Sequence, residues 1–456
     1  MIPSMRPPLR RLVVATAVVL LGGCASFSKD GGIDDVARMT QERIGQAAPL
    51  KRGEERQAEV SVLLAAPLSA DSAVKIALLN NRGLQADLAG LAMSEADVVQ
   101  AGRLPNPGLS FGRVRGGGET EIDRGITFNL AALLTLPARA RIEGQRFEQA
   151  KLQAAMQAVK LVMDTRKAYY VAVAAAQASD FADKVRGAAE AGAELAARMR
   201  TAGSWSALDA ARERAFYQDA VTQQAQAHLQ ATTSREELVR LLGLWGPSLA
   251  FRLPDRLPDL PAQARPGADA EAHALAHRLD VLIARRDAQA TADALGLTRA
   301  TGFINVFDAG YANKSTTGMP RENGYEVSLE LPLFDWGGAR VARAQASYMQ
   351  AVERTADIAV RARSEVRATY ASYRTAYDIA RHYRDEVVPL RKQIADEVLL
   401  RYNGMLASTF ELLAESREQL TSVNAAIAAQ RDFWIADTNL QTAMNAGGTT
   451  DSRKAE

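Results

Sequence analysis

Two pairs of carboxylates, Asp209 with Glu213 and Glu411 with Glu415, stand four residues apart, each shortly after a glycine (Gly203, Gly404) at which a long helical pattern reverses. That spacing puts both acids of a pair on one helix face, where they can attract cations or pair with Arg212, Arg214 and Arg417 nearby. His273 and His277 could face one ion from one side of a helix. Two histidines without cysteine nearby read as surface residues, so no metal site is expected. Cys24 is the sole cysteine and cannot form an intramolecular disulfide. The chain carries no phosphate-binding Gly-Lys-Ser/Thr loop, no Cys or His cluster with ligand spacing and no nucleophile motif. Gly116-Gly117-Gly118 reads as a hairpin turn, and Trp336 and Trp434 as packing or interface anchors. Neither catalysis nor a cofactor is expected.

The elements that must position those acids form a repeat. Residues 130–203 slide onto 331–404 without a gap, 201 residues apart: Leu130 falls on Leu331, Ala138 on Ala339, Tyr169 on Tyr370, Arg200 on Arg401 and Gly203 on Gly404. Such a period is far too long for a solenoid and suggests one rod used twice. The first copy reads as a helix from Leu68 to Leu104 with a break near Asn80–Gly83, strands at about 108–115 and 122–133, and helices at 138–200 and 206–242. Pro247, Pro254, Pro258, Pro261 and Pro266 bridge to the second copy. That copy reads as a helix at 269–299, strands near 301–313 and 323–334, and long helices separated at Gly404. A helix from Ala138 to Arg200 would extend about 95 Å. Pro389 should kink its counterpart without breaking the 201-residue register. The expected class is mainly α with a small β part, in two tandem repeats of long helical hairpins plus two strands. The divisions are 1–23, 24–67, 68–246, 247–268, 269–446 and a disordered tail at 447–456.

The amino terminus suggests an export route. Arg6, Arg10 and Arg11 precede an apolar run from Leu12 to Leu21, too short to stay in a bilayer, and the run ends in Leu21-Gly22-Gly23-Cys24. That ending resembles the bacterial lipobox, which implies removal of residues 1–23, a covalent lipid such as palmitate on Cys24, and attachment to the outer membrane. Losing three arginines takes the formal charge from +2 to −1, which gives no support to nucleic-acid binding. No later segment has the roughly 20 apolar residues of a membrane helix, so any crossing must use strands. Tyr325, Val327, Leu329, Leu331 and Leu333 alternate with Glu326, Ser328, Glu330 and Pro332, one face apolar and one polar. Ile126, Phe128 and Leu130 alternate in the matching place. Four strands per chain cannot close a barrel, and open edges in lipid cost several kcal/mol per unpaired group. Three chains would give twelve strands and a lumen.

Here the chain resembles the TolC-type outer-membrane efflux proteins. The resemblance covers Leu68 to Ala446 and is carried by Ala77-Leu78-Leu79-Asn80-Asn81 with Leu84, by Leu104-Pro105-Asn106-Pro107, by Leu331-Pro332-Leu333-Phe334-Asp335-Trp336-Gly337-Gly338-Ala339-Arg340, and by Arg401-Tyr402-Asn403-Gly404 with Ser408, Leu412 and Leu413. It implies a homotrimer with a twelve-stranded barrel on a periplasmic helical tunnel. That assembly would be the exit duct of a tripartite pump with a periplasmic adaptor and an inner-membrane transporter, the RND type being one candidate. It also implies that Asp209, Glu213, Glu411 and Glu415 line a closed aperture, and that Arg200, Gly203, Arg401 and Gly404 at the tip turns meet the adaptor. Gly is equally a helix terminator through positive φ, and Arg suits a helix C-terminus. The first copy departs from the pattern, with Thr135-Leu136-Pro137 where the second has Trp336-Gly337-Gly338. Gly32 to Ala37 with Glu42-Arg43, and Asn80 to Ala86, look like the heavy-metal branch. Alternatives are a lipid-anchored coiled-coil adaptor, a structural protein without a channel, or a lipid-anchored enzyme. An adaptor would show one hairpin between β-rich halves, and an enzyme a convergent polar site.

Overall fold

A computed structural model describes residues 26–47, 49–50, 55–301, 306–330 and 333–447. The expected signal peptide, Cys24 and the tail from 448 onward lie outside the described residues. The chain divides into two units, each drawing on both copies of the repeat. One comprises residues up to Asp35 with Leu88–Ala154 and Leu282–Ile358; the other comprises Val36–Asp87, Ala155–Val281 and Ala359 onward.

The first unit holds the sheet. Strands β1 (Gly108–Gly116), β2 (Glu119–Asn129), β3 (Phe307–Thr316) and β4 (Glu322–Leu329) lie in the order β1-β2-β3-β4, all neighbours antiparallel. Gly117 and Gly118 turn the first hairpin with φ of 62° and 87°, a left-handed pair whose twist suits a two-residue turn. The central β2–β3 ladder, from Glu121 opposite Thr316 to Asn129 opposite Asp308, joins the hairpins of the two copies into one sheet. The outer edges of β1 and β4 pair with nothing among the described residues.

The first long helix, α5 (Leu130–Thr201), follows β2 directly. Earlier helices are α1 (Ile33–Ile44), α2 (Glu55–Leu64), α3 (Ala70–Asn80) and α4 (Arg82–Ala101). The strand expected at 122–133 therefore stops at Asn129, and the helix expected at 138 starts eight residues earlier. The Asn129 carboxamide oxygen accepts from the Ala132 amide at 2.5 Å, capping the new end, and Leu130-Ala131-Ala132-Leu133-Leu134 is strongly helix-forming. Pro137 lies inside α5, where it forgoes one backbone bond, and no turn replaces Trp336-Gly337-Gly338. Other strand limits also move: residue 301 still belongs to a helix, β4 ends at Leu329, and 302–305 and 331–332 lie outside the described residues.

The second copy runs α7 (Ala270–His277), α8 (Leu279–Thr301), β3, β4, then α9 (Gly338–His382), a π turn at Tyr383–Val387, α10 (Val388–Asn403) and α11 (Thr409–Asn445), the counterpart of α6 (Ala207–Leu242). The helix expected as one piece at 269–299 is broken at Arg278. Where a kink is expected at Pro389 the helix carries a π turn, in which the Val388 amide reaches the Tyr383 carbonyl five residues back. Pro389 follows at the start of α10, where the wider turn relieves the clash of its ring with the preceding turn. The extra residue ends the 201-residue register. In the first copy Ser204 N–H donates to Met199 O and Gly203 N–H to Arg200 O; in the second Leu406 N–H donates to Arg401 O and Met405 N–H to Tyr402 O. Structurally, Gly203 matches Met405 and Arg200 matches Tyr402, not the Gly404 and Arg401 of the gapless alignment. Gly404 has φ −82°, and the positive φ of 61° falls on Met405.

In the second unit both copies are anchored at the same points, by like chemistry at one and by different chemistry at the other. Tyr169 hydroxyl donates to Leu68 O at 3.0 Å, and Tyr370 hydroxyl to Arg265 O at 3.3 Å. Asn81, which breaks α3 from α4 at φ −63°, ψ 121°, donates to Leu241 O at 2.9 Å, while its Oδ1 caps α4 by accepting from Leu84 N–H. Arg278 holds the same backbone conformation in the second copy, φ −65°, ψ 127°. It is buried and donates to Ala443 O, Asp280 and Glu365. The proline bridge is a fixed strap. Pro258 O accepts from Gln430 Nε2 and Trp434 Nε1, Tyr377 hydroxyl donates to Pro261 O and Ala262 O, and the Arg235 guanidinium covers the Phe251 ring at 4.0 Å. Beneath it pack Tyr373, Tyr377 and Phe433, with Trp434 stacked on Tyr170.

Arg278→Ala is expected to lower stability by about 3–5 kcal/mol, because Asp280 and Glu365 lose the cation facing them. Asn81→Ala should cost only about 1–3 kcal/mol. Chemical denaturation gives the order, and a harsher effect from Asn81 would contradict it. Burial holds the Asp437 carboxyl above the usual aspartate value of 3.8, against the lowering pull of Arg265, Gln441 and Arg166. The folded chain thus binds that proton more tightly than the unfolded one. Stability should rise as pH falls from neutral through the folded-state pKa and level off below 3.8. Comparing unfolding curves of Asp437→Asn and the native chain across that window isolates this contribution, which the variant should lack.

Candidate functional site

Two regions carry the residues singled out by the sequence: the turns that close the helical hairpins, in the second unit, and the sheet, in the first. At the first turn Gly203 adopts φ 77° and Ser206 caps α6, accepting from the Asp209 amide at 3.1 Å while Asp209 Oδ2 lies 2.6 Å from the same hydroxyl. Asp209 also faces Arg212 at 3.5 Å. At the second turn Ser408 and Glu411 form a reciprocal capping box, with Glu411 N–H to Ser408 Oγ at 3.1 Å and Ser408 N–H to Glu411 Oε2 at 3.0 Å. Asp209 and Glu411 are therefore first-turn acids, placed where a carboxylate suits the helix N-terminus.

Glu213 and Glu415 join helices. Glu213 is 2% exposed and pairs with Arg417 of α11, whose guanidinium also lies 4.3 Å from the centre of the Phe216 ring. A side chain at Gly192 of α5 would meet Glu213 Oε2 and Leu413 Cδ2 at 3.6 Å, so three helices close around this ion pair. Glu415 pairs with Arg391 of α10 at 3.5 Å, and Arg391 also reaches Glu418 at 3.1 Å. Within one chain the four acids thus have separate duties and do not converge. Arg401 pairs with Glu397 at 3.1 Å, one turn back on its own helix. The sequence passed over Met405 and Leu406, which are 93% and 82% exposed. A large apolar residue at positive φ on a turn has no periodicity to reveal it. His273 and His277 stack with ring centroids 4.4 Å apart, and His277 Nδ1 lies 3.1 Å from His273 O. Among the described residues no three His, Cys, Asp or Glu side chains gather to hold a metal ion.

The sheet's pairing register sorts its side chains into two unlike faces. One carries Leu109 opposite Ile126, then Tyr311 and Tyr325 in the same row, with Phe128, Ala309 and Val327 in the row beside it. These large side chains are exposed, Leu109 at 80% and Tyr325 at 90%. The other face carries Gly112, Gly125, Gly310 and Gly324 among six carboxylates, those of Glu119, Glu121, Asp123, Asp308, Glu322 and Glu326, with one lysine, Lys314, held by Glu121 at 2.6 Å. A soluble sheet buries its apolar face, whereas here that face is open. Among the described residues no helix is long and apolar enough to cross a membrane.

No protein-family model and no curated protein matches the chain. Solved structures do. A membrane protein from Pseudomonas aeruginosa is similar over 86% of this chain and 92% of its own, with a TM-score of 0.71 and 21% identity. The channel-forming CusC matches at TM-score 0.70 and 16% identity over 83% and 92% of the two chains. The CmeC outer membrane channel of Campylobacter jejuni matches at 0.68 and 15% over 83% and 86%. The chain has the TolC-type channel fold. Within that fold the hairpin turns are the ends of the long helical pairs, and the open-edged sheet is the element that the sequence expected to meet lipid.

Three substitutions separate these roles. Glu213→Ala should cost about 3 kcal/mol by leaving Arg417 without its buried partner. Asp209→Ala should cost under about 1 kcal/mol, since its pair is largely exposed. Met405→Gly should raise stability by about 1 kcal/mol by removing the cost of a left-handed non-glycine residue. Thermal unfolding of the purified variants checks all three, and a loss of stability in Met405→Gly would refute the assigned strain.

Proposed function

We propose that this chain is one subunit of a trimeric exit duct in the outer membrane, passively conducting cargo delivered by an inner-membrane transporter through a periplasmic adaptor. The observation that carries the reading is a four-stranded sheet whose two edges are unpaired among the described residues and whose apolar face is exposed. Edge groups in lipid are costly, so strands from further copies must complete the wall. Three copies supply twelve strands, and the acidic, glycine-rich face then lines the lumen. The likeness in fold to outer-membrane channels supports the same reading. Acylation of Cys24 would hold the amino terminus at the same membrane.

The turn residues fit the periplasmic end of such a duct. Arg200, Gly203, Arg401 and Gly404, with Met405 and Leu406, form the surface we assign to adaptor docking. Asp209, Glu213, Glu411 and Glu415 are assigned to the aperture, where Glu213–Arg417 and Glu415–Arg391 tie neighbouring helices and hold the closed state. Export of heavy-metal ions is the narrower cargo reading, supported by the runs Gly32–Ala37 and Asn80–Ala86. Asn80 and Asn81 are already accounted for by their bonds to the carbonyls of Leu241, Leu242 and Gly243.

Purified protein should migrate as a heat-modifiable trimer and give discrete conductance steps in planar bilayers. Monomeric, non-conducting protein would reject the duct. In the same bilayers Glu411→Ala with Glu415→Ala should reduce cation selectivity and lengthen open times. Unchanged selectivity and gating would remove these acids from the aperture.

A further inference from the structure

The strands of the sheet contain three arginines, and all three fall on the apolar face. Arg113 lies opposite Ile122, Arg115 opposite Thr120, and Arg124 opposite Phe111. No strand carboxylate shares that face, because all six project from the other. Arg113 and Arg115, two apart on one strand, stand about 7 Å from each other, and Arg124 is diagonal to Arg113 at about 7–8 Å. All three are exposed. Arg113 and Arg115 have no charged partner among the described residues. Arg124 donates to Asn313 Oδ1 at 3.0 Å, a neutral contact that orients the guanidinium without cancelling its charge. Asn313 in turn donates to Asn323 Oδ1 at 2.7 Å.

The position of the cluster matters as much as its charge. It sits toward the hairpin end of the sheet, near Gly117-Gly118, while the rows of Leu109, Ile126, Phe128 and Tyr325 lie toward the end where the strands join helices. Basic side chains bordering an exposed apolar band match an amphiphile with anionic groups at its head and hydrocarbon below. Guanidinium groups bind phosphate oxygens in paired, planar fashion. We propose that Arg113, Arg115 and Arg124 form a binding site for the phosphate groups of a membrane lipid whose acyl chains lie along the apolar rows of the same face. The inference rests on the duct reading, since it requires this face to meet lipid.

The test uses the full-length protein in phosphatidylcholine nanodiscs doped with diphosphorylated lipid A or with its dephosphorylated form, with retained lipid read by native mass spectrometry. The native chain should prefer the phosphorylated form on the order of a hundredfold, from three arginines at a membrane surface. Arg113→Gln with Arg115→Gln and Arg124→Gln should bring that preference near unity. Lys314→Gln, a cation removed from the opposite face, should leave it intact. Equal retention of both lipids by the native chain, or an undiminished preference in the triple variant, overturns the proposal. Inorganic phosphate should not displace the lipid; displacement would mean a free-phosphate site and reject the lipid assignment. Conductance in planar bilayers separates the two levels. A conducting chain without lipid preference defeats this inference alone, whereas a chain that never conducts defeats the duct beneath it.

Discussion

An unpaired strand edge is the constraint on which the molecule turns. A β-strand satisfies only half of its backbone groups from each side, and the described residues leave one side of β1 and one side of β4 empty. In water such edges invite aggregation; in hydrocarbon each orphaned group is costlier still. The exposed Leu109, Phe111 and Tyr325 make water the poorer surroundings for this sheet. The proposed closure by further copies would answer both problems at once, and it would require helices that leave the sheet in a fixed direction. Starting α5 at Leu130, with the Asn129 cap and no intervening loop, gives a stiff junction of that kind.

Duplication has preserved anchoring points more faithfully than side chains. Leu241 O and Ala443 O each receive a donor from the residue that breaks the preceding helix, an asparagine in one copy and a buried arginine in the other. The arginine brings Asp280 and Glu365 with it, so a neutral hydrogen-bonded joint has an ionic counterpart. Tyr169 and Tyr370 repeat the same task on Leu68 and Arg265. What the two halves share is the set of carbonyls that must be satisfied, which is a backbone property.

This explains what could be read from the sequence. Helical periodicity and turn glycines gave the long rods, the hairpin at Gly117-Gly118 and the break at Asn81, because those signals are local. Alternation gave four strands but not their ends, since Leu130 continues the apolar pattern while Asn129 already caps a helix. The π turn was invisible: a gapless alignment that matched Arg200 with Arg401 and Gly203 with Gly404 looked complete, and only backbone hydrogen bonds reveal the slip. Among the candidate acids, spacing could place Asp209 with Glu213 on one helix side. It could not tell that one caps a helix while the other is buried against Arg417, because burial is decided by a helix two hundred residues away. The segregation of arginines from acids in the sheet was written in the alternation, yet it needs the strand register to be recognised.

The π turn has a further consequence for how the two hairpin ends differ. By absorbing one residue it lets the second turn keep the hydrogen bonds of the first while changing what occupies them, so Gly203-Ser204 is answered by Met405-Leu406. In the proposed trimer, a ring of such chains would be nearly sixfold in its backbone but strictly threefold in its chemistry. Each subunit of such a ring would then present two unlike apolar tips, Met405 with Leu406 at one turn and the half-buried Trp205 with the exposed Leu208 at the other.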